Sequence, residues 1–122
     1  MKQHEKVAAV YCRTAQPDDL AIFVQKDRLI QLANTRGYDK LEYYQDNGYS
    51  GLSFERPAFL QMCEDVQTGN IQYVLVVDTS RIGRNCRSVS KWLNEMRLTG
   101  VFVIPLDDEP YSDFLINDRT CL

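Results

Sequence analysis

Residues 73–77, Tyr-Val-Leu-Val-Val, run straight into residues 78–84, Asp-Thr-Ser-Arg-Ile-Gly-Arg. The first five are almost wholly apolar and rich in β-branched side chains, which predicts a central strand buried on both faces. Strands of that kind belong to parallel sheets, because the crossovers between parallel strands lay helices over both sides. The seven residues that follow put two arginines at the strand's carboxyl end, where open parallel sheets bind their ligands.

Working outward, residues 6–13 (KVAAVYCR) form a second short apolar run, expected as the first strand. Pro17-Asp18-Asp19 then supplies helix-start chemistry, with acids at the positive end of the dipole. Ile22, Phe23, Leu29, Ile30 and Ala33 recur at helical spacing, and Gly37 suits a left-handed cap. Residues 41–45 are expected as a strand, and residues 46–55, punctuated by Asn47-Gly48 and Ser50-Gly51, as a loop. Pro57 fits the first turn of a helix carrying Phe59, Leu60, Cys63 and Val66, closed at Gly69. Beyond residue 84, Val89, Trp92, Leu93 and Met96 mark one face of a third helix ending at Gly100, with a strand at residues 101–104. The order β-α-β-α-β-α-β implies a three-layer α/β fold, a mostly parallel sheet of four to five strands with helices on both faces. One domain is expected over residues 1–122, its core at about 6–107 and an acidic, irregular tail at 108–122.

Composition narrows the class. Of 122 residues, 44% are hydrophobic and 25% charged, the balance of an ordinary globular chain. No apolar run approaches the ~20 residues that span a bilayer, and the N-terminus lacks a signal-peptide pattern, so a cytoplasmic location and no membrane partner are expected. The four cysteines, Cys12, Cys63, Cys86 and Cys121, form no C-x-x-C and are expected as free thiols, with Cys12 and Cys63 packed as small apolar residues. With His4 the single histidine, neither a metal site nor a cofactor is expected. The net charge of −3 conceals a polar distribution: residues 81–97 hold five bases and one acid, residues 105–122 five acids and one base. A local basic stripe can bind phosphate although the whole chain is acidic.

Arginine suits phosphate because its planar fork donates paired hydrogen bonds and its charge is permanent. Arg13, Arg56, Arg81 and Arg84 all fall at the expected carboxyl ends of strands or in the loops beside them. Arg81 and Arg84, three apart at the expected start of a helix, would share a face that Arg87, Ser88 and Lys91 extend. The plain alternative is a solvated basic helix surface. The segments around Arg13 and Arg56 weigh against it, since they bring further arginines to the same end of the sheet.

Taken together, Tyr11-Cys12-Arg13-Thr14-Ala15, the loop from Asp46 to Pro57, and Ser80-Arg81-Ile82-Gly83-Arg84 resemble the catalytic domain of the serine site-specific recombinases, the resolvase and invertase family. The resemblance runs from about Val7 to Asp107. The longer loop resembles the large members carried by phages and conjugative elements, which links the chain to DNA integration and mobile elements. The family's first strand ends in Tyr-x-Arg-x-Ser, matched by Tyr11, Arg13 and Ala15. Its first helix carries a glutamine matched by Gln25, and its loop an aspartate, a Ser-Gly pair and an Arg-Pro matched by Asp46, Ser50, Gly51, Arg56 and Pro57. In that family a serine hydroxyl attacks a DNA phosphodiester, forming a phosphoseryl link that reverses after half-sites exchange within a tetramer, without metal or nucleotide. The resemblance implies that Arg13, Arg81 and Arg84 clamp the phosphate and that Arg56 assists or holds the loop. It further implies that Asp46 and Gln25 orient these groups, with Ser50, Arg87 and Lys91 as further phosphate or DNA contacts. DNA and a homodimer or tetramer, or association with a full-length recombinase, are the implied partners.

Two departures stand out. Ala15 occupies the position of the family's serine, and a methyl group cannot attack phosphorus. Thr14 points to the opposite strand face from Arg13, and neither Ser50 nor Ser80 has an orienting partner visible in the sequence. A degenerate paralogue, an inactivated form, or a serine supplied by another subunit would each explain Ala15. Gln16, which also departs from the family's small hydroxyl residue, favours the first. The second departure is the lack, in these residues, of the family's long helix and DNA-binding domain, so weak and non-specific DNA affinity is expected. Two other classes stay open: a non-catalytic regulatory or decoy subunit pairing with an active recombinase, and a nucleotide-binding module. The latter lacks both G-x-G-x-x-G and G-x-x-x-x-G-K.

Overall fold

The computed structural model describes residues 5–108. The expected alternation is present: β1 (Val7–Thr14), α1 (Asp19–Arg36), β2 (Lys40–Asn47), α2 (Pro57–Gln67), β3 (Tyr73–Val76), a 3-10 turn η1 (Thr79–Arg81), α3 (Cys86–Thr99) and β4 (Phe102–Pro105). The four strands form one all-parallel sheet in the order β2-β1-β3-β4. His4 and most of the acidic tail, residues 109–122, lie outside the described residues.

Every residue of β1 is buried, as the innermost strand of a covered sheet requires. Alternation along the strands separates two cores. Ala8, Val10, Cys12, Leu75, Val77 and Ile104 pack with Ile22, Leu29 and Ala33 of α1. Ala9, Tyr11, Val74, Val76 and Val103 face the other way, onto Phe59 and Met62 of α2 and Trp92 and Met96 of α3. The layers are therefore α1, sheet, α2 with α3. Since α1 leaves β1 on one face and α2 returns to β3 on the other, the topology reverses between β1 and β3. A crevice opens at the carboxyl ends of those two strands.

Local capping follows the sequence. Asp18 caps α1 by accepting from the Ala21 N–H at 3.0 Å, and Gly37 closes it in the left-handed region at φ 72°. Three expectations are corrected. Phe23 is 64% exposed and Leu60 48%, because Ile22, Gln25 and Leu29 on α1, and Phe59, Met62 and Val66 on α2, take the inward positions instead. Asp46 lies in β2, not in the loop, directly across from Arg13 of β1. Finally, Arg81 and Arg84 do not share a helix face. Asn85 caps α3 by accepting from the Ser88 N–H, so the helix begins only at Cys86, with Arg81 on η1 and Arg84 between the two.

Cys12 is buried and Cys63 half-buried beneath Trp92, whose indole N–H points at the Cys63 sulfur at 3.4 Å; both are free thiols. Cys86, exposed at the first residue of α3, is disulfide-bonded, which corrects the free-thiol expectation there.

Candidate anion pocket

Arg13 occupies the end of β1, and its side chain is 2% exposed. Its guanidinium donates to three backbone carbonyls: Nε to Arg81 O at 3.1 Å, Nη1 to Tyr49 O at 2.8 Å and Nη2 to Ser80 O at 2.7 Å. Burial, and then the neighbouring Arg56 charge, hold its pKa below the ordinary arginine value. The carbonyl dipoles offset part of that cost, because each presents negative charge to the cation. Arg13 thereby ties the β2–α2 loop to η1.

Arg56 repeats the device from the other side. At 1% exposure it donates through Nη1 to the Tyr11 hydroxyl at 3.1 Å and to Arg81 O at 3.0 Å, and through Nη2 to Ile82 O. Its guanidinium carbon lies 4.5 Å from the Phe59 ring centroid and 5.5 Å from that of Phe54, so aromatic faces supply further negative potential. Burial lowers its pKa too, against the opposing influence of Tyr11 and Asp46.

Asp46 closes the network. Its carboxylate accepts from the Tyr11 hydroxyl at 2.7 Å and from the backbone N–H groups of Ala58 and Phe59, both at 2.9 Å. The last two are first-turn donors of α2, whose own N-cap, Arg56, offers no side-chain bond. A charge held at a helix N-terminus is favourable both as cap and against the dipole. Burial, opposed by the Arg56 charge and reinforced by the bond to Asp46, raises the Tyr11 pKa far above its ordinary value, so the phenol stays a donor.

Gln25, buried on α1, reaches the sheet. Its Oε1 accepts from the Arg13 N–H at 3.1 Å and its Nε2 donates to Arg13 O at 3.0 Å. Strand β3 pairs with β1 only as far as Val10. The Gln25 amide therefore takes the place of a strand residue and holds the backbone of Arg13. Arg81 also reaches this carbonyl, through Nη1 at 3.0 Å, and lies 3.8 Å from Asp78 through Nε. Nε of Arg81 and Nε of Arg56 are buried without a hydrogen-bond partner among the described residues.

Arg13, Gln25, Asp46, Arg56 and Arg81 thus form one connected cluster. Arg84 joins its rim: exposed, it is tied by its own N–H to Gly51 O at 2.8 Å. Ala15 is exposed immediately past the end of β1. The other expected residues stand apart. Arg87 and Lys91 are exposed on α3, and Ser50 is exposed with its Oγ accepting from the Leu52 N–H. Thr14 is buried, its hydroxyl donating to Asn47 Oδ1 at 2.7 Å and accepting from the Gly48 N–H.

At two positions the sequence showed the residue but not its role. At Gly51 an added Cβ would stand 2.5 Å from Arg84 Cγ and 2.8 Å from Arg13 Nη2, so the loop can lie on the arginines only without a side chain. Asn47, which reads as a turn former, joins three elements. It accepts from the Asp18 N–H and the Thr14 hydroxyl and donates to Asp19.

The class is then a parallel α/β domain with a cluster of arginines at its topological switch point. Residues 8–119 match the family model described as "Resolvase, N terminal domain", and the chain belongs to that family. Among solved structures it is similar to the N-terminal catalytic domain of TP901-1 integrase, at 26% identity and TM-score 0.82, covering 91% of this chain and 90% of that one. A resolvase family site-specific recombinase from Streptococcus pneumoniae is 26% identical at TM-score 0.75, covering 95% and 87%. The C-terminal catalytic domain of ISC1926 TnpA, an IS607-like serine recombinase, shares the fold at 22% identity and TM-score 0.75, covering 91% and 78%. A comparison with curated proteins finds no match. The chain is a serine recombinase catalytic domain in fold and family, which implies dealings with DNA and oligomerisation in general terms. No described helix is long and apolar enough to cross a membrane.

Proposed function

We propose that this domain binds the phosphodiester of a recombination site in its arginine pocket but does not cleave it, because Ala15 occupies the nucleophile position. The observation that carries this reading is the intact cluster of Arg13, Gln25, Asp46, Arg56 and Arg81 beside an exposed side chain that is only a methyl group. In this reading Arg81, whose side chain is partly exposed, and Arg84, which is exposed, meet the phosphoryl oxygens. Arg13, Arg56, Asp46 and Gln25 hold the backbone on which those two are mounted. Charge aimed in advance at the phosphoryl group is what such chemistry needs most. A phosphoseryl link needs an oxygen nucleophile, and Thr14, the adjacent hydroxyl, is engaged with Asn47 and Gly48.

The test is Ala15→Ser in a chain fused to a family DNA-binding domain, incubated with nicked site DNA. A covalent protein–DNA adduct is expected from the variant and not from the wild type. Absence of adduct, while an active recombinase reacts in parallel, would sink the reading of a preserved pocket.

A second reading is a non-catalytic subunit that pairs with an active recombinase. It is favoured by Leu20, Phe23 and Val24, which lie exposed along the first turns of α1, next to Ala15. Co-purification with an active recombinase of the same cell is expected, and lack of a complex at micromolar concentration would exclude it.

A further inference from the structure

Asp108 falls one residue past the expected core, in the run of acids assigned to a tail. The structure ties it inward. Its Oδ2 accepts from the Thr79 N–H at 3.0 Å and from the Thr79 hydroxyl, also at 3.0 Å. Its own backbone is fixed on both sides: the Asp108 N–H donates to Pro105 O at 3.1 Å and the Asp107 N–H to Val77 O at 2.7 Å. Arg28 of α1 grips the Asp107 carboxylate at 2.5 and 3.0 Å.

Thr79 opens η1, and Arg81 is that turn's last residue. So short a 3-10 turn cannot hold itself, since its leading N–H groups have no partner within it. Two carboxylates take them: Asp108 accepts from Thr79, and Asp78 accepts from the Ser80 N–H at 3.0 Å and from the Ser80 hydroxyl. On the other side Arg13 and Arg56 hold the carbonyls of Ser80, Arg81 and Ile82. The turn is thus clamped between two anions at its donors and two cations at its acceptors. Of the four clamps, Asp108 alone arrives from the carboxyl end of β4.

We infer that Asp108 is a positioning residue: by holding Thr79 it sets the η1 turn so that Arg81 presents its guanidinium to a bound phosphate group. This rests on the anion-binding reading above, and Asp108 itself does not touch the anion. The clamp acts through Thr79, so the side chains that matter are those keeping two donors at residue 79 and an oxygen acceptor at residue 108.

The experiment is nitrogen-resolved NMR of the arginine side chains and the Thr79 amide, on the whole chain, with inorganic phosphate as the probe. In Asp108→Ala the Arg81 Nε and Thr79 amide signals should move without phosphate, and phosphate binding should weaken about tenfold. The Arg87 signal, out on α3, should stay in place. Thr79→Ser keeps both donors and should match the wild type. The milder Thr79→Val, which loses only the hydroxyl bond, should shift the same signals in the same direction by less, and it serves if Asp108→Ala does not fold. A merely structural residue would lower stability and leave the Arg81 signal of the folded protein unmoved. Unmoved Arg81 signals with unchanged phosphate affinity in both variants would overturn the inference. Should the wild type bind no phosphate, the anion-binding reading fails, while the Arg81 and Thr79 signals of the free protein still decide the role of Asp108.

Discussion

The arginines within the crevice and those on the surface beside it are used in opposite ways. Arg13 and Arg56 are almost entirely buried and spend their donors on carbonyls of the β2–α2 loop and of η1, whereas Arg84 and Arg87 stand in solvent. A buried guanidinium survives only where dipoles and ring faces surround it, so the inner pair is bound to the fold that shelters it. An exposed one owes the fold little and keeps its fork free for an anion. Residue type alone did not separate these roles; depth did.

The sharpest way to break this contrast is Arg56→Ala. It removes three hydrogen bonds, strips Ile82 O of its guanidinium donor and empties a buried site packed against Phe54 and Phe59, so a loss of about 3–5 kcal/mol is expected in chemical denaturation. A loss below about 1 kcal/mol would dissolve the distinction between inner and outer sets.

The dryness of the inner region is open to a pH test through Cys12, next to Arg13. Burial pushes its thiol up from 9.0 to about 11, against the opposing charges of Lys26 and Arg81. The folded state therefore keeps this proton after the unfolded state has released it. The associated stability, about 2–3 kcal/mol at most, is fully present below pH 9 and is lost as pH rises through the folded value. Tyr11, raised for the same first reason, adds to the alkaline loss. Denaturation midpoints across that window should fall more gently for Cys12→Ala than for the wild type.

Gly51→Ala probes the seam between the sets. Its new Cβ meets Arg84, which can swing away, and Arg13, which three carbonyls hold in place. A cost of about 1–3 kcal/mol is expected, read as a lowered thermal midpoint. The smallest effect on stability belongs to Arg84→Ala, within about 0.5 kcal/mol of the wild type. Its signature is instead weaker oligonucleotide binding in a salt titration, with the slope reduced by about one.

The fold was legible because Tyr73-Val74-Leu75-Val76-Val77 can hardly be anything but a covered strand, and the helices between strands carry clear stops at Gly37 and Gly100. Strand order was not written in that pattern. Asp46 read as a loop residue since Asp is a poor strand former, yet it sits in β2 because Tyr11, Ala58 and Phe59 all donate to it. Apolar residues surround the first turns of α1, so periodicity could not say that Ile22 faces the sheet while Phe23 faces out. The arginines were found by type and place, but their division into buried and exposed depends on Gly51 and Gly83, whose missing side chains let the loop and η1 close over Arg13. At Gly83 a Cβ would stand 2.8 Å from Phe54 and 3.4 Å from Gly51 O.

Gln25 carries a consequence on another axis, that of time. The amide proton of Arg13 is bonded to a helix side chain instead of to a neighbouring strand. Hydrogen exchange there is expected to be gated by the parting of α1 from the sheet, while exchange at Val10, where β1 is flanked by β2 and β3, is expected to wait on the opening of the sheet itself. One strand thus holds two clocks three residues apart. The faster of them runs at the mouth of the pocket, where the protein has most reason to breathe.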